Sequence, residues 1–319
     1  MNTTASGQRL RDDIELLPVV RADSLLREPP ERRWLVDTLW PAEGVGVIGA
    51  HPKLGKTWLG LELAVSISSG KLCLGRFQVK RPGPVLIYLA EDNNHAVRER
   101  LDGLCQHHQV SLAALDLLVI DVPQLRLDSL KQLARLDATL ARYRPRLLLL
   151  DPLVRLHSRD ENSSQELTPI LGHLRTLQRR HETAIALVHH ARKQVNQNQH
   201  GQSLRGSGDI FAWADVLLYL HRQKNGLRLT VEHRSAPPPE PLLLQLALTP
   251  PHLEIITDNA TKEPSLQERI LHTLNRSDEP ITRTQLRALL AVNNHRLGEA
   301  LTALEALGRI RRTAKGWHC

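Results

Sequence analysis

Cysteine is scarce in this chain: three in 319 residues, Cys73, Cys105 and Cys319, with no close pairing and no metal-ligand spacing. That excludes a disulfide-stapled scaffold or a zinc framework and suits a reducing cytoplasm. Aromatic residues make up only 3%, so the core has to be aliphatic, which a hydrophobic content of 41% allows. No apolar run approaches the roughly 20 residues of a membrane span, and residues 1–13 lack the apolar centre of an export signal. No membrane partner is therefore expected. Acidic residues are also in deficit, 34 against 42 Lys and Arg, a formal charge of +8. The excess favours a polyanionic partner, although a basic surface is often only solvated. A chain of this length is long for one core, so two domains or one large domain with an appendage is expected.

One stretch carries chemistry on its own. Ala50-His51-Pro52-Lys53-Leu54-Gly55-Lys56-Thr57 lies between the apolar run Gly44-Val45-Gly46-Val47-Ile48 and the helical run that begins at Trp58. This is the strand, loop, helix order of a P-loop. Its backbone N–H groups wrap a phosphate chain, and the helix start adds the positive end of its dipole. Lys56 then reaches the β and γ phosphates, and the Thr57 hydroxyl holds magnesium. Ala50 stands where glycine is commoner, and a small residue still fits. An ordinary glycine turn capping a helix does not account for the lysine.

Around that loop, short apolar strands alternate with amphipathic helices, at residues 45–48, 85–90, 117–122, 147–150, 184–188 and 216–220. Continuous apolar strands separated by helices predict an α/β fold with a mostly parallel sheet buried on both faces. Further strands are expected at 227–232, 242–248 and 253–257. Between the first two, Pro237-Pro238-Pro239 excludes helix and central strand. Two predicted strands deliver an acid to the carboxyl edge of the sheet, where phosphates bind in open α/β folds. Asp151 is the candidate for magnesium, and Glu91 for deprotonating the attacking water. Either alone could be a helix N-cap, the reading favoured for an isolated strand-end aspartate; together with the P-loop, the catalytic reading is preferred.

Four segments in order, Gly83-Pro84-Val85-Leu86-Ile87-Tyr88-Leu89-Ala90-Glu91-Asp92, Leu150-Asp151-Pro152-Leu153, Val188-His189-His190-Ala191-Arg192-Lys193 and Arg205-Gly206-Ser207-Gly208, resemble successive motifs of the RepA-type hexameric helicases of plasmids. These are RecA-like ATPases similar to the DnaB and phage replicative helicases. The resemblance spans roughly residues 34–248. It implies a RecA-like core, ATP with Mg2+ as cofactors, a homo-oligomeric ring, hexameric in that family, and single-stranded DNA in the central channel. On the match of motifs, Lys56 and Thr57 carry over as phosphate and metal residues, Glu91 as catalytic base, Asp151 as the Walker B acid and His190 as the γ-phosphate sensor. His190 also ends an apolar strand inferred to lie beside the one ending in Asp151, while His189 is expected to point into the sheet packing.

An arginine finger from the neighbouring subunit is the less settled part of the resemblance. Arg100, nine residues after Glu91, matches a RepA-family arginine, though it also reads as an exposed helix charge. Asp215 stands where some RepA-type proteins carry another arginine. Glu232-His233-Arg234 occupies the place of the K-x-R of DnaB-type helicases, keeping the arginine and losing the lysine. Arg234 is preferred to Arg205 as the finger. The polar stretch 193–202, with Lys193, reads either as a plain surface loop or as the family's DNA-contacting channel loop.

The last part of the chain reads as a separate module. Ser265-Leu266-Gln267-Glu268 has capping-box form, two further helices follow at helical spacing, and residues 308–318 suggest a basic hairpin. Three helices and a hairpin resemble a winged helix-turn-helix, with Arg296 on the recognition helix and Arg311, Arg312 and Lys315 on the wing. From Lys262 onward ten Lys or Arg face six Asp or Glu, +4 of the chain's +8. Such a fold also serves protein docking. The expected organisation is an N-terminal arm, 1–33; a RecA-like ATPase domain, 34–258; a linker, 259–264; and the winged-helix domain, 265–319, able to hold duplex DNA. The expected activity is an ATP-dependent DNA helicase or translocase in replication or maintenance of a plasmid or other mobile element. The alternative is a nucleotide-switched DNA-binding regulator or partition-like ATPase that unwinds nothing.

Overall fold

The alternating pattern becomes a nine-stranded sheet in the computed structural model, which describes residues 17–25, 33–161, 163–190, 208–256, 266–277, 279–290 and 292–318. In chain order the first part holds β1 (Trp34–Val36), β2 (Trp40–Pro41), β3 (Val45–Ala50), α1 (Lys56–Ser69), β4 (Val85–Leu89), α2 (Asn94–His108), β5 (Leu117–Val119), α3 (Leu130–Tyr143) and β6 (Leu147–Asp151). It continues with α4 (Ser164–His181), β7 (Ala184–His190), α5 (Gly208–Trp213), β8 (Val216–Gln223), β9 (Gly226–His233), β10 (Leu242–Leu248) and β11 (Pro251–Ile255). The sheet order is β11-β10-β9-β8-β3-β7-β6-β4-β5. From β8 to β5 every pairing is parallel, and β9, β10 and β11 add an antiparallel flank.

Parallel strands are buried on both faces, and the period of two sorts their side chains between two cores. Leu147 and Leu149 join the cluster under α1 and α2, whereas Leu148 and Leu150 join the one under α3 and α4. On β7, Ala184, Ala186 and Val188 belong to the first cluster and Ile185 and Leu187 to the second. α1 lies close on β6: a Cβ added at Gly60 would come within 3.1 Å of Leu149. Before α2, Asn93 caps the helix, its Oδ1 accepting from the Ala96 N–H at 2.8 Å.

Beyond the sheet come α6 (Leu266–Asn275), α7 (Arg283–Leu290), α8 (Asn294–Ala306), β12 (Arg311–Thr313) and β13 (Gly316–His318). They share a small core of their own, including Ile270, Leu286, Leu297, Leu301 and Trp317. β12 pairs with β13 antiparallel, and Ile281 bridges to Trp317. Several boundaries differ from expectation. β4 stops at Leu89 and β5 at Val119, and the last sheet strand begins at Pro251 rather than 253. The short β1–β2 pair has no periodic run to announce it. Residues 237–239 form no regular element, as their prolines require. The expected linker 259–264, the cap at Ser265 and most of the arm 1–33 lie outside the described residues. Among the described residues no helix is long and apolar enough to cross a membrane.

Candidate functional site

At the carboxyl edge of β3 the chain turns through 51–55 into α1. Gly55 has φ 79° and Lys53 φ 63°, so the loop uses the left-handed region twice, and the glycine sits at the helix N-cap. Lys56 opens the helix and folds back over the loop, donating from Nζ to the carbonyls of Ala50 at 3.2 Å and His51 at 3.0 Å. Burial pushes its ammonium pKa down, while Asp151 and then Glu91 pull it up. Both acids therefore stand close enough to act on this lysine electrostatically.

Asp151 ends β6 opposite Leu89 of β4. It is 6% exposed, on the same face of the strand as Leu147 and Leu149 by the alternation above. Burial is the main cause that lifts its carboxyl to about 6 from 3.8; the Thr57 hydroxyl bond lowers it, Asp92 raises it, Lys56 lowers it and Glu91 raises it. Its Oδ2 is buried with no hydrogen-bond partner. A buried oxygen left so beside a hydroxyl and an ammonium fits a divalent cation. Magnesium needs only one or two protein ligands and takes the rest from phosphates and water. Among the described residues no group of three or more His, Cys, Asp or Glu is placed to hold a metal ion by itself.

A cleft of about 690 Å³ opens over these groups, lined by residues 52–58, Glu91, Arg100, Asp151 and His190. His190 faces Ala50 in the register of β7 on β3 and shares the face of Ala184, Ala186 and Val188. His189, one residue earlier, turns to the other face and is fully buried 3.6 Å from Glu161. Glu91 lies just past β4 and receives the Arg155 guanidinium on Oε1 at 2.8 Å. Arg100 reaches the cleft from α2, paired with Asp92 and 5.9 Å over the Trp58 ring. It lines the cleft of its own chain.

Arg234 stands elsewhere. β9 runs antiparallel to β8, so its start, Gly226, is at the cleft edge, and its end, His233, pairs with Val216 at the far edge. Arg234 there is 52% exposed, hydrogen-bonded to the Ala212 carbonyl and 3.5 Å from Asp215, which also binds Arg175 at 2.7 Å. It cannot line this cleft. Lys193 and Arg205, with the rest of 193–202, lie outside the described residues. Arg296, Arg311, Arg312 and Lys315 are exposed on the C-terminal elements and line no part of the cleft. Arg296 donates its backbone N–H to the Asn293 cap at 2.9 Å. Sequence reasoning missed Arg222, Gln245, Leu227 and Leu253, which close the cleft from β8 to β11. Their local pattern is that of ordinary strands and carries no signal.

A family model for the AAA domain (AAA_25) matches residues 11–196, more than half of the chain. Two solved structures have the same fold. One, described as an ATPase domain, superposes with a TM-score of 0.52 at 15% identity, covering 68% of this chain and 86% of that one. A DnaB-like replicative helicase, described with its interactions with primase, gives 0.51 at 16% identity, over 68% and 58%. This chain thus spans less than two thirds of the second relative's length.

Proposed function

The chain belongs to the AAA domain family, and we propose that it is an ATP-driven DNA motor of the RepA helicase type. The observation that carries the nucleotide reading is Asp151 Oδ2, buried and partnerless beside Thr57 and Lys56 at the mouth of a helix-capped loop. Thr57 and Asp151 would hold Mg2+, which on binding with ATP supplies positive charge to the phosphates. Lys56 exchanges two loop carbonyls for phosphate oxygens. Glu91 takes the proton of the attacking water, and His190, on the cleft face of β7, contacts the terminal phosphate. Transition-state charge needs a further cation. Arg234, on the far edge of the sheet, supplies it to the neighbouring subunit of a ring, hexameric as in the family.

The unwinding reading draws on the fold shared with an ATPase domain and with a DnaB-like replicative helicase, and on the basic excess. Single-stranded DNA would run through the ring channel against the segment around Lys193. Exposed Arg311, Arg312 and Lys315 on β12 and the following turn give the C-terminal elements a winged-helix reading, with duplex DNA as partner and Arg296 on α8. Displacement of a strand from forked DNA, with ATP, tests the proposal. A nucleotide-switched regulator binds a duplex through the C-terminal elements, hydrolyses ATP and displaces nothing.

A further inference from the structure

Asp215, just before β8, ties together β3, α4 and the end of β9, and its carboxylate is shared by two arginines. Its N–H donates to the Val45 carbonyl at 2.8 Å, and its own carbonyl accepts from the Arg234 N–H at 2.9 Å. The side chain is engaged chiefly by Arg175 of α4, 40 positions away. Arg175 donates from Nη1 to Oδ2 at 2.7 Å and from Nη2 to Oδ1 at 3.2 Å, and Nη2 also reaches the Trp213 carbonyl. Oδ2 accepts the Val45 N–H as well, at 3.1 Å. The Arg175 guanidinium lies 5.7 Å over the Trp213 ring, whose indole donates to the Leu171 carbonyl at 2.9 Å. This fork is thus fixed by packing as well as by charge. Arg234 takes what is left: its Nη1 stands 3.5 Å from Oδ1, longer than a good hydrogen bond, while Nη2 donates to the uncharged Ala212 carbonyl.

We propose that Arg175 is a positioning residue for Arg234, occupying the Asp215 carboxylate so that the exposed arginine is aimed without being neutralised. The inference rests on Arg234 being the finger. A two-pronged guanidinium–carboxylate pair is the strong form of this contact, and one carboxylate accommodates one such fork. With Arg175 in that place, Asp215 cancels one of the two positive charges. The other stays with Arg234, whose side chain is 52% exposed against 21% for Arg175. The backbone bond to Asp215 and the Ala212 carbonyl set where Arg234 leaves the sheet, and neither takes its charge. A finger needs that charge for the phosphates of the neighbouring subunit. Without Arg175 the carboxylate turns to Arg234, and the finger has to break that pair to act.

The test is ATPase of mixed oligomers of the full chain. The parent mixture combines Lys56→Ala, which brings the finger, with Arg234→Ala, which brings the loop. Arg175→Gln is then added to the finger donor in one mixture and to the loop donor in another. On the finger donor it is expected to lower kcat about three- to five-fold, the upper range for a partly exposed ion pair, with the KM for ATP within about twofold. On the loop donor it should change neither, since that subunit has no finger to hold. Adding Asp215→Asn to Arg175→Gln on the finger donor removes the competing charge and should return kcat to within about 1.5-fold of the parent. An arginine that merely braces α4 would leave the rate low. An equal loss on both donors, no loss on the finger donor, or no return with Asp215→Asn overturns the inference. A parent mixture without activity removes Arg234 as the finger, and this inference with it.

Discussion

Replacing Asp151 by asparagine removes a buried charge while keeping the shape of the side chain and an oxygen for the Thr57 hydroxyl. The Asp151 carboxyl sits at about 6 against an ordinary 3.8, chiefly because it is buried. The folded protein therefore keeps a proton between about pH 4 and 6 that the unfolded chain has released, and stability falls as pH rises through that window. Above about pH 6 the full cost of the charged form is present: roughly two pKa units at about 1.4 kcal/mol each, or about 3 kcal/mol. Asparagine carries no such cost. At about pH 7.5, without nucleotide or metal, Asp151→Asn should be more stable than wild type by up to about 3 kcal/mol, at about 2–4 °C of Tm per kcal/mol for a domain of this size. At about pH 5 the gain should shrink to roughly half, since wild-type Asp151 is then mostly protonated in the folded state. Urea unfolding at both pH values, followed by a magnesium-dependent ATPase assay, measures both sides. A stabilised protein with no turnover is the expected result, a site that holds strain for its function. A variant less stable than wild type at the higher pH, or a gain that does not shrink at the lower, would refute the reasoning.

Glu91→Gln should retain ATP binding, measured by equilibrium titration, and lose turnover by at least about 100-fold, since an amide accepts no proton; normal turnover would return Glu91 to a capping role. Lys56→Ala and Arg234→Ala should each be inactive alone, yet a mixture of the two should recover ATPase, because a subunit with an intact loop can meet a neighbour with an intact arginine. No recovery in verified mixed oligomers would remove Arg234 as the finger. Deleting 262–319 should leave ATPase intact, because the cleft residues all lie earlier. Duplex affinity should drop and the salt dependence of binding become shallower, each lost phosphate contact taking about one unit from the slope. An unchanged slope would make the exposed β12 arginines mere solvated surface.

Local chemistry was legible wherever neighbours in sequence are neighbours in the site. The loop from Ala50 to Thr57 reads directly, because a phosphate cradle needs a glycine in the left-handed region and a lysine at the helix start, and Gly55 and Lys56 take those places. Asp151 reads from the apolar run that ends in it, and the turn of His189 away from His190 follows from the period of a strand. What the sequence by itself determined was therefore the elements and the groups at their ends, since periodicity, turn residues and caps act over a few residues. The tertiary structure alone decided the sheet order, which sets β7 between β3 and β6 and so brings His190 to the cleft that holds Lys56 and Asp151. It alone sent Arg234 to the far edge, through the antiparallel return of β9. It also paired Arg155 with Glu91 and closed the cleft with Arg222 and Gln245. Those contacts join residues dozens of positions apart, and their partners are chosen by crossovers and by the packing of two cores, which no local pattern encodes.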